Sequence, residues 1–149
     1  MVTPEGQVRI VAEGLAFPNG MAVTPDNNTL IIGESFSTTL SAFDIAADGG
    51  LSNRRVWAKL DGGPDGIAMD ADGSIWSSAG NKAIRVREGG EVLETIPLDR
   101  FCFATMLGGE DGRTLFMVCN EWTGSTTNLA RTGRVYWTRV ESPRAGWPG

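Results

Sequence analysis

The sequence contains no histidine, and that absence removes more chemistry than any other feature of its 149 residues. Without imidazole there is no Ser-His or Cys-His nucleophile pair within the chain, no helical zinc-protease motif and no histidine acid or base. What remains is carboxylate, amide, Lys, Tyr, or a metal ion held by oxygen. Cysteine is nearly as scarce. Cys102 and Cys119 lack the close spacing of a zinc knuckle or a thioredoxin-like pair, and two thiols build no disulfide framework, so both are expected as buried free thiols. The chain has no run of Lys or Arg and a formal charge of −5, which argues against a nucleic-acid partner, because phosphate binding rests on cationic contacts. No apolar run approaches a membrane span. The amino terminus, MVTPEGQVRI, shows neither a basic leader nor an apolar signal core, so a cytoplasmic setting without a membrane partner is the expectation.

What is present is strand. Short runs that alternate or are rich in β-branched and aromatic residues recur: VRIVA at 8–12, MAV at 21–23, TLIIG at 29–33, LSAFDI at 40–45 and VWAKL at 56–60. They continue with IAMD at 67–70, SIWSS at 74–78, AIRVR at 83–87, VLETIPL at 92–98, TLFMVC at 114–119 and RVYWTRV at 134–140. Turn chemistry separates them at PDNN, ADGG, DADG, EGG and GEDG. No window sustains an apolar rhythm of 3.6 residues between caps, so the fold class is all-β.

A repeat selects the architecture. FPNGMAVTPDNNTLIIGES is paraphrased by GPDGIAMDADGSIW, with Asp65-Gly66 standing 46 residues after Asn19-Gly20. A fainter third copy appears when Asp111-Gly112 is set against Asp26-Asn27, and this alignment places Ala104 at the Asn19 position. Units of this length with about four short strands are the signature of propeller blades. The reading is a single domain over 1–149 of three four-stranded blades at roughly 15–60, 61–98 and 99–142. Three blades do not close a ring, and an open arc leaves two apolar faces bare. The expectation is therefore half of a six-bladed propeller completed by a homodimer, with strand 7–12 completing the partner's last blade.

In a propeller, polar residues at the start of each inner strand converge on the axis. Asn19 and Asp65 stand there in consecutive blades, offering an amide and a carboxylate oxygen that suit a hard divalent cation, Ca²⁺ before Mg²⁺. The competing reading takes Asn-Gly and Asp-Gly as ordinary turn dipeptides.

The wording FPNGMAVTPDNNTLIIGESFSTTLSAFDI, then LSNRR, PDGIAMDADGSIW and the closing GRVYWTRVESPRAGWP, resembles the gluconolactonase/regucalcin (SMP-30) family of six-bladed propellers, over the carboxy-terminal half of that fold. The resemblance implies an axial divalent metal, calcium or zinc, that polarises the carbonyl of a sugar lactone or related ester. Carried over, Asn19 and Asp65 match the family's metal-binding Asn and Asp, and Asp65 is also the candidate catalytic base. The family's remaining metal-binding Glu and its substrate-holding Arg and Asn belong to blades that have no counterpart here. Phe101 and Phe103 are candidates for an apolar wall of the substrate pocket, against plain core. Trp57, Trp76 and Tyr136 read as packing, and Glu121 and Asn128 as part of a polar surface loop or, more sharply, a lid. The functional alternative to a lactonase-like hydrolase is a half-propeller that binds or scaffolds without catalysis, or a truncated inactive homologue.

Overall fold

The computed structural model describes residues 1–124 and 131–148. Its eleven strands form three antiparallel sheets. The first contains β1 (Pro18–Val23), β2 (Thr29–Glu34), β3 (Thr39–Ile45) and β4 (Leu51–Lys59) in chain order. The second repeats this order with β5 (Ile67–Met69), β6 (Ile75–Ser78), β7 (Lys82–Val86) and β8 (Val92–Pro97). The third has three strands among the described residues, β9 (Phe101–Gly108), β10 (Thr114–Asn120) and β11 (Arg134–Arg139), and ends on β11. There is no helix among the described residues, hence none long and apolar enough to cross a membrane.

Local chemistry sets the hairpins. In each loop between a sheet's first two strands an Asp carboxylate accepts a backbone N–H two residues on: Asp26 from Asn28 at 3.1 Å, Asp70 from Asp72 at 3.0 Å and Asp111 from Arg113 at 3.1 Å. Such side-chain turns fold the chain back before any sheet exists.

The sheets stack face to face, with β1 beside β5 and β5 beside β9. One core layer, with Ala22, Ile31, Leu40, Trp57, Ile75 and Ile84, lies between the first and second sheets. The other, with Trp76, Ala83, Cys102, Leu115, Met117 and Cys119, lies between the second and third. Trp57 and Trp76 are therefore buried packing residues, and Tyr136 packs at the edge of the second layer. Cys102 and Cys119 are free, buried and directly opposite one another on β9 and β10. Burial pushes the Cys102 thiol up to about 12, so it stays protonated.

The segment 142–147 returns beneath the far ends of the first strands. Its backbone bonds run from Arg144 N to Gly112 O at 2.9 Å, Ala145 N to Met69 O at 3.0 Å and Trp147 N to Val23 O at 2.9 Å, one to each sheet. Residues 7–12, expected as a strand, join none of the three sheets; they bridge back to residues 1–3 through Val2–Val8 and Arg9 N to Met1 O at 3.0 Å, and Arg9 pairs with Asp48 at 3.3 Å.

Candidate functional site

The site grows from the near ends of β1, β5 and β9, and the glycines decide its geometry. Gly20 N donates to Asp65 O at 3.0 Å, and Gly66 N donates to Phe103 O at 2.8 Å, so each first strand is pinned to the next. A Cβ on Gly20 would stand 2.4 Å from Asp65 O, and one on Gly66 would stand 2.6 Å from Ala104 Cα. Neither glycine has a positive φ. They are there for close approach of neighbouring backbones, and the turn-dipeptide reading gives way.

These contacts also correct the third copy. Phe103 occupies the place that Asn19 and Asp65 hold in the earlier sheets, and Ala104 takes the place of the glycines. The turn-based alignment falls one residue short because the stretch from the strand head to the turn Asp is one residue longer from Phe103 to Asp111 than from Asn19 to Asp26. β9 carries a bulge at its head: Val118 faces Ala104 while Cys119 faces Cys102, leaving Phe103 as the extra residue. A like irregularity between Pro18 and Met21 brackets Asn19. Bulges turn a side chain out of the regular alternation, which is how residues of inner strands come to face the common end.

Asn19 and Asp65 are brought together. The Asn19 amide stands near enough to the Asp65 carboxylate to lower its pKa, and it reaches the Ser35 hydroxyl at 3.4 Å. Ser35 in turn donates to Pro64 O at 2.7 Å, and the Ser78 hydroxyl accepts from Asp65 N at 2.9 Å. Ser35 and Ser78 were not singled out in the sequence; no spacing signal marks them, because they come from the ends of second strands. Burial raises the Asp65 pKa and the neighbouring Asn19 amide opposes it, with burial the larger influence. Among the described residues no Lys or Arg pairs with Asp65.

The aromatic candidates stand alongside. Phe101 and Phe103 have ring centroids 6.4 Å apart, and Phe103 meets Trp122 edge-on at 6.0 Å. On the Asn19 side, Phe17 and Phe36 stack at 4.5 Å while largely exposed, and Phe17 holds a left-handed backbone at φ 60°. An exposed, stacked pair with one member in a costly conformation marks the rim of this end more clearly than its sequence context did. Glu121 is exposed and 3.9 Å from Arg100; Asn128 lies outside the described residues.

The residues test the metal expectation in part. Asn19 and Asp65 offer oxygen, and an unpaired, partly buried carboxylate favours a nearby cation. Among the described residues no cluster of three or more Cys, Asp or Glu completes a shell. Phe103, in the third matching place, brings no oxygen. Asn19 and Asp65 by themselves fall short of the six to eight oxygens that Ca²⁺ takes.

Residues 1–120 match the family described as SMP-30/Gluconolactonase/LRE-like region. The chain belongs to this family. It is 31% identical to a 6-deoxy-6-sulfogluconolactonase of Pseudomonas putida over 99% of its own length and 54% of that enzyme's. A luciferin-regenerating enzyme superposes with a TM-score of 0.82 at 20% identity, over 97% of this chain and 52% of that one. Regucalcin from Agrobacterium tumefaciens, described as a calcium-binding protein, gives 0.76 at 20% identity over 94% and 51%. The three sheets are thus blades of a β-propeller. The chain spans about half the length of these relatives.

Proposed function

We propose that this chain carries the Asn/Asp side of a divalent-cation-dependent hydrolase that opens sugar lactones or related esters. The observation behind the reading is the Asn19–Asp65 pair, held at one end of adjacent inner strands in a member of a lactonase-containing family. Kinship with a sulfogluconolactonase supports the substrate class. Calcium fits best among divalent ions, because the donors are oxygen.

Asn19 and Asp65 would hold the ion. When bound, such a cation supplies positive charge that favours electron withdrawal from an ester carbonyl. The chain's own work is to orient and to move a proton. Ser35 fixes the Asn19 amide, and Ser78 fixes the backbone of Asp65. Asp65 accepts a proton from the attacking water at its carboxylate. The water oxygen bonds to the acyl carbon, the ring C–O bond breaks, and the proton returns to the released hydroxyl. The Phe101–Phe103 pair offers an apolar wall. A cytoplasmic setting suits the two unpaired thiols.

A second reading, binding without turnover, draws on the two-donor count and on Phe103 in the third place. A panel of aldonolactones followed by proton release, with added calcium, separates the two. The first reading requires hydrolysis above the buffer rate and a loss of roughly 10²-fold or more in Asp65→Ala. Calcium binding by calorimetry without hydrolysis selects the second. Hydrolysis undiminished in Asp65→Ala removes Asp65 from the reaction.

A further inference from the structure

Within the chain, the outer strand of each blade runs directly into the inner strand of the next: β4 leads to β5, and β8 leads to β9. Residues 7–12 hold the same place ahead of β1, without a sheet to join. At the other end, the third blade ends at β11 among the described residues, with no outer strand beside it. We propose that a second copy of this chain covers both ends. Its residues 7–12 pair with β11 as the fourth strand of the third blade, and the two copies close a six-bladed ring about a twofold axis.

Three further observations select this occupant. Val8 and Ile10 alternate along the segment at 80% and 79% exposed, the pattern of a strand whose apolar side has no sheet beneath it. On the open face of the third blade, Met106, Phe116 and Trp137 form one cross-strand row, and Val118 and Val135 the next, all at least a third exposed. The open face of the first blade is instead hollow: a cavity of about 590 Å³ lies between Met21, Leu30 and Leu51 of the sheet and Met1, Ile10 and Val11 of the chain's own amino-terminal segment. Projecting rings on one end and an apolar hollow on the other are complementary between copies, and within one copy they lie on opposite sides of the central blade. A face meeting a different face forms either a ring or an open filament. The chain superposes on 52% and 51% of its structural neighbours, so two copies complete one turn.

Closure would also bring a second Asn19 and Asp65 to the axis, giving two amides and two carboxylates where one chain gives one of each. The assembly rests on sheet topology, on the two open faces and on the fold comparison, and stands or falls apart from the hydrolase reading.

Native mass spectrometry and sedimentation of the full chain at micromolar concentration test the closure. The expected species is a single dimer of the 15.9 kDa chain. A monomer means that something other than a second copy belongs on these faces, and overturns the proposal. Open-ended assemblies overturn the ring. The strand exchange is read separately, by co-refolding Ile10→Cys with Val135→Cys, and with Trp137→Cys, then oxidising. Cys102 and Cys119 are buried and do not compete. A disulfide joining two chains in at least one mixture supports the pairing with β11; a dimer that forms neither disulfide overturns it.

Discussion

The central blade and the third blade share one hairpin plan, and they differ in what lies beyond them. Along β6 every residue is buried, Ile75 towards the first blade's core layer and Trp76 towards the third's. Along β10 burial alternates, with Leu115, Met117 and Cys119 inward and Phe116 and Val118 outward. A strand covered on both faces is buried along its length, here with Ser77 and Ser78 as well as Ile75 and Trp76, and one covered on a single face alternates. In β10 the outward positions are apolar as well. That surplus is what separates an unfinished face from a finished one.

The largest effect comes from emptying the central blade. Trp76→Ala should cost about 3–5 kcal/mol in urea titrations, whereas Trp137→Ala on the open face should cost below ~1 kcal/mol in the dilute single chain. Equal losses would mean that the third blade's outer face is already packed. The junction between the first two blades ranks next. Gly20→Ala drives a Cβ against Asp65 O and should cost about 3 kcal/mol, since backbone, unlike a flexible side chain, does not step aside cheaply. Gly73→Ala, with open space around it but φ at 76°, should cost only about 1 kcal/mol.

Asp65→Asn is smaller and of opposite sign. Burial raises the Asp65 pKa, so its contribution to stability falls as pH rises from the ordinary carboxylate value through the raised one. At neutral pH without calcium, the neutral amide should melt slightly above the parent chain. Calcium should raise the parent's midpoint and leave that of Asp65→Asn unchanged. A midpoint for Asp65→Asn below the parent's would show that the carboxylate already has a partner. Least of all is Asp111, whose carboxyl is held at about 2 by Arg139. Its stabilising contribution is present above the ordinary carboxylate value of 3.8 and is lost as pH falls through about 2. Asp111→Asn should therefore narrow the difference between denaturation midpoints at neutral and strongly acid pH. An unchanged difference would remove that ion pair from the stability of the third blade.

Much of this was legible in the residues. Turn chemistry and alternation marked the hairpins, and the paired PNG and PDG wording located the junction where Asn19 and Asp65 meet. Ala104 was set in the third place because the stretch from strand head to turn Asp is one residue longer in the third copy than in the first, and a repeat aligned on its turn does not register that residue. Ser35 and Ser78 were invisible for a different reason: they act on residues brought near only by the stacking of blades.

Sequence alone determined ten of the eleven strands, though not β9, together with the repeat and the chemical types at the head of the first two inner strands, because side-chain turns and two-residue alternation act over a few bonds. Tertiary structure decided why Gly20 and Gly66 are glycine, which residue stands in the third place, and where the closing segment 142–147 runs. Those facts depend on backbones from separate blades approaching within van der Waals distance, and no local preference encodes that approach.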